Sequence, residues 1–261
     1  MHTSTPDINT LFQSAQAEGL LSQHSLQVLD VFDIGNQIQA ALGTPVEEVT
    51  SSEVVLVTIM PDDSSSIQYS HNVQAVRAGH NTVLDALASS QQKDHILIHN
   101  RYLNGQILYP YGPLEQAVRM DNQNYNPRLG TPLYDQTVIL LGTVLAKTQE
   151  FADHGVPVRT VTLLITDGAD YGSTKATAHS VAALVNDMLM GENHVIAAMG
   201  IDDGHTDFHH IFTQMGIRPE WILTPGNNQR DIRQAFQVFS QSALRASQSA
   251  AQFKALGGFG N

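Results

Sequence analysis

The sequence predicts an α/β fold: a doubly wound, mostly parallel six-stranded sheet with helices on both faces. From residue 54 onwards, apolar runs of strand length alternate with amphipathic helical patterns, the arrangement that specifies a parallel sheet covered on both faces. The first run, Val54-Val55-Leu56-Val57-Thr58-Ile59-Met60, is β-branched and apolar, as a strand buried on both sides should be. Asn104-Gly105 between two later runs is a strong short hairpin signal and makes the third strand antiparallel, at an edge of the sheet.

Taken in order, residues 1–50 are rich in Gln and Ser. They show two modest helical patterns, one around Leu11-Phe12 and one from Asp33 to Leu42 ended by Gly43. No recognisable chemistry sits there, and this part is treated as an N-terminal extension. Pro61 stops the first strand. Val73, Val76, Val83, Leu84 and Leu87 then share one face at helical spacing. Strands follow at 96–102 and 106–110. A loop rich in Asn, Tyr, Pro and Gly leads to Thr131-Pro132, which reads as an N-cap followed by the first residue of a helix. Tyr134, Val138, Leu141, Leu145 and Phe151 give that helix its buried face, and Gly155 closes it. A fourth strand at 161–166 ends at Asp167-Gly168. Helices through Val181–Met188 and Phe208–Met215 flank a strand at 194–201, and a short strand at 221–224 precedes a last helix carrying Ile232, Ala235, Phe236, Phe239 and Ala243. The domain of interest spans 51–248, and 249–261 reads as a flexible, Gly-rich tail.

At 261 residues the chain has room for one large α/β domain or two small ones. A formal charge of −12 argues against nucleic acid as a partner, since phosphate binding needs surplus Lys and Arg, and favours metal cations or basic surfaces. Cysteine is absent, which removes disulfides, thiolate metal sites and a catalytic thiol from consideration. The segment Met1-His2-Thr3-Ser4-Thr5-Pro6-Asp7 has neither a basic nor an apolar signal region, and no window approaches a membrane span. A soluble, cytoplasmic protein without membrane contact is the expectation.

The stretch Asp62-Asp63-Ser64-Ser65-Ser66 after the first strand reads D-x-S-x-S. One carboxylate and two hydroxyls spaced two apart can converge on a small hard cation that takes oxygen ligands. Ser and Asp are also ordinary turn and cap residues. In strand order 3-2-1-4-5-6 the first and fourth strands are neighbours, so Asp62 and Asp167 face one crevice at the topological switch point. No G-x-G-x-x-G, P-loop or G-x-S-x-G is present.

With these pieces the chain resembles a von Willebrand factor A domain carrying a metal-ion-dependent adhesion site. Asp62-Asp63-Ser64-Ser65-Ser66-Ile67, Gly130-Thr131-Pro132-Leu133 and Ile165-Thr166-Asp167-Gly168 match the family's three motif parts in order. Pro61 departs from a family that more often runs its strand straight into the aspartate. The resemblance implies that Ser64 and Ser66 bind Mg²⁺ directly, with Mn²⁺ or Ca²⁺ as alternatives. It implies that Thr131 binds directly or through water, and that Asp62 and Asp167 hold the ion's waters. An open position then takes an Asp or Glu of a partner protein, so the implied function is a non-enzymatic adaptor. Intracellular relatives work with AAA+ ATPases or belong to bacterial stress-response clusters. In integrin-type relatives the last helix slides, and the same is expected of residues 229–247.

The competing enzyme reading is a Mg²⁺-dependent phosphohydrolase of the haloacid-dehalogenase type, which also carries an aspartate after its first strand. Ser64 stands where that family has its second aspartate and cannot act as its acid/base. His205, His209 and His210 read as a surface cluster at a helix start, without the pattern of a zinc site. Asp63, Asp170, Asp202 and Asp203 read as solvated loop acids. Arg128, Tyr125 and Tyr134 are candidates for the rim of a binding face or for loop packing.

Overall fold

The computed structural model describes residues 7–30 and 34–259. Asp33, with which the second N-terminal helical pattern begins, and the segment Met1–Pro6 lie outside the described residues. Six strands form one sheet: β1 (Val54–Met60), β2 (Ile96–Arg101), β3 (Ile107–Pro113), β4 (Val158–Thr166), β5 (His194–Gly200) and β6 (Ile222–Leu223), in the order β3-β2-β1-β4-β5-β6. All neighbours are parallel except β2 and β3, which are antiparallel. Every residue of β1, β4 and β5 is buried, which is why their sequences do not alternate between apolar and polar. β4 begins three residues before the first residue expected of it, at Val158. The stretch Val158-Arg159-Thr160 is too polar to read as strand, yet it pairs with β1.

The helices are α1 (Ile8–Ala17), α2 (Gln23–Asp30), α3 (Gly35–Gln39), α4 (Ser65–Tyr69), α5 (Val73–Ala88), α6 (Leu133–Asp153), α7 (Ala178–Met190), α8 (Phe208–Gln214), α9 (Gln229–Gln248) and α10 (Ala250–Lys254). α5 and α9 pack closely on each other. α6 runs beside β1 and β4, and α1, α2 and α3 all lie against it. This further helical layer explains why every residue from Thr137 to Phe151 is buried: one side of α6 meets the sheet and the other meets the N-terminal helices.

The first fifty residues therefore share the main core, through Ile8, Leu11, Phe12, Leu29 and Ile38. They also tie to the sheet edge, where Thr44 N–H donates to the Tyr111 carbonyl at 2.7 Å and Tyr111 N–H to that of Ala41 at 2.9 Å. Gly43 makes this possible. Its φ is +61°, and a Cβ there would sit 1.9 Å from the Tyr111 carbonyl oxygen. At the other end, where the sequence suggests a loose tail, residues 250–254 form α10 with Phe253 buried. Phe259 N–H donates to the Glu220 carbonyl at 3.0 Å, and its ring lies 5.1 Å from that of Trp221.

Candidate metal centre

β1 and β4 are neighbours, so their carboxyl ends open onto one crevice. Pro61 follows β1, and its carbonyl accepts from Leu103 N–H at 3.1 Å, tying the strand end to the β2–β3 hairpin. The next residue, Asp62, is fully buried. Its Oδ1 accepts from Ser64 N–H at 2.7 Å, and its Oδ2 accepts from the Thr166 hydroxyl at 2.7 Å and from Asp167 N–H at 3.4 Å. The Asp62 side chain thus joins both strand ends. The Ser64 and Ser66 hydroxyls are 2.7 Å apart, and Ser66 donates to Asp167 Oδ1 at 2.5 Å. Asp62, Ser64, Ser66 and Asp167 form one hydrogen-bonded group.

Thr131 reaches the same loops through its backbone. Leu129 pairs with Ser64 in a parallel bridge and accepts from Ser65 N–H at 2.9 Å. Two residues on, Thr131 and Tyr171 exchange backbone hydrogen bonds of 3.0 and 2.8 Å. Thr131 is therefore held between the loops that carry the other four residues. Its side chain makes no hydrogen bond among the described residues, so the N-cap role expected of it is corrected: the residue at the cap position of α6 is Pro132. The free amides are met from across the crevice instead, Tyr134 N–H by Asp170 Oδ1 at 3.1 Å and Asp135 N–H by Ser173 Oγ at 3.0 Å.

Three carboxyl groups here are pushed above the usual carboxylate range. Burial raises Asp62 against the hydrogen bonds that favour its charged form. Burial and the nearby Asp62 push Asp167 up to about 6, and burial pushes Asp63 up to about 7, with Asp62 again adding to the effect. Hydroxyls and amides oppose these shifts, and among the described residues no Lys or Arg lowers any of the three. A cluster of desolvated acids without a basic partner is the charge environment a bound cation would relieve.

The donor set fits a hard divalent cation. Neighbouring ligands in an octahedron with bonds of about 2.1 Å are about 3.0 Å apart, close to the 2.7 Å between the two serine hydroxyls. Among the described residues no three His, Asp or Glu side chains form a ligand group by themselves. A cation here would need hydroxyl ligands as well, and hydroxyl, carboxylate and water oxygens suit Mg²⁺, Mn²⁺ or Ca²⁺.

Several residues act here without a clear sequence signal. Thr166 lies inside a quoted motif, and its hydroxyl bonds Asp62. Ser70 donates to Asp167 Oδ2 at 3.2 Å. Tyr125, a rim candidate, is buried and donates to the Asp62 carbonyl beneath the site. Asp63, expected in solvent, is buried and accepts from Asn104 N–H at 3.0 Å. Asp170 braces α6, and Asp203 holds its own loop through the Thr206 hydroxyl at 2.6 Å.

Sheet order, the crevice between β1 and β4 and the loops that meet there define a doubly wound α/β fold with its candidate site at the topological switch point. No protein-family model and no curated protein matches the chain. Among solved structures, the pilus adhesin SpaC from Lactobacillus rhamnosus GG in its open conformation superposes with a TM-score of 0.53 at 12% identity, covering 75% of this chain and 30% of the adhesin. A second structure of SpaC gives 0.54 at 10% identity, over 75% and 31%. The chain thus spans under a third of that adhesin's length, and the likeness is one of fold. Manganese-loaded TRAP from Plasmodium vivax is more distant, with a TM-score of 0.44 at 17% identity over 71% of this chain and 74% of that one.

Proposed function

We propose that the protein is a non-enzymatic interaction module that holds a divalent cation, Mg²⁺ first, and through it binds an acidic side chain of a partner protein. The observation that carries this is the closed group Asp62, Ser64, Ser66 and Asp167 at the switch-point crevice. Ser64 and Ser66 would hold the ion directly, Thr131 directly or through water, and Asp62 and Asp167 would hold its waters. When bound, such an ion supplies an under-neutralised positive centre with a position open to a carboxylate oxygen.

The serine hydroxyls bond each other and Asp167, and no histidine base stands with them among the described residues. That supports binding over turnover. A fold shared with a pilus adhesin is in keeping with a surface made for protein contact. No helix among the described residues is long and apolar enough to cross a membrane. A cytoplasmic setting, with an AAA+ ATPase or a stress-cluster protein as partner, belongs to the same proposal.

The test is calorimetric titration of Mg²⁺ into the wild type and into Ser64→Ala and Ser66→Ala, with capture of host proteins in Mg²⁺ and again in chelator. Saturable uptake lost in both variants, with capture that needs Mg²⁺, is the expected result. Equal uptake by all three proteins removes the site, and Mg²⁺-dependent cleavage of an aryl phosphate would replace the adaptor with a phosphohydrolase.

A further inference from the structure

Large apolar side chains left in solvent are few among the described residues: Leu20, Tyr69, Val118, Leu129, Tyr171 and Met190. Single exposed hydrophobics need no explanation, but a group at one place does. Three of these six stand on the three separate chain segments that build the candidate metal centre. Tyr69 ends α4, the helix that begins at Ser65 and Ser66, and the residue after it, Ser70, bonds Asp167. Leu129 pairs with Ser64, and Tyr171 pairs with Thr131. The two tyrosines are 81% and 80% exposed and Leu129 is 50% exposed, the first two being the most exposed of the six.

These side chains are held out by fixed backbone. The Leu129 backbone bonds Ser65 and Asp63, on either side of Ser64, the Tyr171 backbone bonds Thr131, and Gly130 between Leu129 and Thr131 adds no side chain of its own. Neither tyrosine hydroxyl is engaged by another described residue. An exposed tyrosine, with an apolar body and a free polar tip, is among the residue types that most often carry the binding energy of an interface. The surrounding charge narrows the partner further. The chain carries a formal charge of −12, so each extra acid on an approaching surface is repelled.

We propose that Tyr69, Leu129 and Tyr171 form an apolar rim that selects a protein segment in which one Asp or Glu is flanked on both sides by large apolar residues. The inference rests on the metal-bridged reading of the site and adds the identity of the partner surface. The lone acid reaches the cation while its neighbours cover the rim. A polyacidic segment meets the same cation but gains nothing from the rim and is opposed by the chain's own charge.

The experiment selects random peptides displayed on phage against the Mg²⁺-loaded protein, elutes with chelator, and repeats the selection on Tyr69→Ser/Tyr171→Ser. Mg²⁺ uptake and oligomeric state are measured separately for both proteins, and the urea midpoint confirms that the variant is folded. The expected clones carry a single acid between apolar residues and bind the variant at least about tenfold more weakly, while Mg²⁺ uptake is unchanged. Clones whose acids lack apolar flanks, clones that bind the variant equally well, or no chelator-eluted clones despite Mg²⁺ uptake would each overturn the rim and leave the metal centre standing. A Mg²⁺-dependent dimer lost in the variant would assign the patch to a second copy of this chain and overturn it too. If the wild type takes up no Mg²⁺, the metal reading itself fails and the inference falls with it.

Discussion

Asn72 Nδ2 donates to Asn227 Oδ1 at 2.8 Å and to Ser70 Oγ at 2.9 Å, and Ser70 in turn donates to Asp167 Oδ2 at 3.2 Å. A buried amide therefore links a candidate metal-site carboxylate to the residue before Asn228, the N-cap of α9. Bound cation should raise hydrogen-exchange protection at 64–72 and, through this relay, in the first turn of α9. Coupling of this kind is reciprocal. Asn227→Ala should confine the change to 64–72, and an unaltered response of α9 in that variant would sever the relay.

Sliding of the whole helix, expected from the sequence, meets two obstacles. The far end of α9 is followed by α10 and by Phe259 anchored at Trp221. Midway, Phe236 fills the space over Gly79, where a Cβ would lie 2.0 Å from the ring. Gly79→Ala should gain about 1 kcal/mol of helix propensity and lose more to overpacking, for a net destabilisation of about 1–2 kcal/mol. Urea unfolding reads this directly, and a stabilised variant would show that α9 yields easily.

Thr131→Ala should leave stability within about 0.5 kcal/mol of the wild type while weakening cation uptake, because Thr131 caps nothing. Ser173→Ala, which strips the acceptor from Asp135 N–H, should cost about 1 kcal/mol and leave uptake intact. The opposite pattern would return Thr131 to a purely structural role.

His80, His99 and His194 are buried, and burial pushes them down to about 4, about 3 and about 4. The unfolded chain takes up protons at these residues below about pH 6.5, and the folded protein does not. Their contribution is therefore complete above that pH and is lost as pH falls towards the folded values, by about 2 kcal/mol per group at pH 5. His194→Asn should flatten the fall in stability between pH 7 and pH 5 by about that amount. An unchanged slope would mean that His194 titrates normally in the fold.

The sheet order was legible because each strand carried its own apolar run and Asn104-Gly105 marked the hairpin. The five proposed site residues could be grouped from the sequence because, in the strand order 3-2-1-4-5-6, β1 and β4 are neighbours. What escaped depends on side chains meeting across distant segments. Asp63 and Tyr125 look like loop residues until folding places one beneath Asn104 and the other beneath Asp62. α2 was missed because its polar residues Gln23, His24 and Gln27 obscure a short apolar face of Val28 and Leu29. Thr131-Pro132 imitates a cap, but Thr131 is held by Tyr171, and Pro132 has a ψ of 62°, outside the helix.

In the proposed site the Ser64 and Ser66 hydroxyls, with Asp62 and Asp167 behind them, hold a divalent cation. Anomalous diffraction at the manganese edge from crystals grown with Mn²⁺ tests it most directly. One strong peak is expected within about 2.3 Å of both serine oxygens, and it should disappear in Ser64→Ala/Ser66→Ala. A peak elsewhere, or none at saturating Mn²⁺, would contradict it.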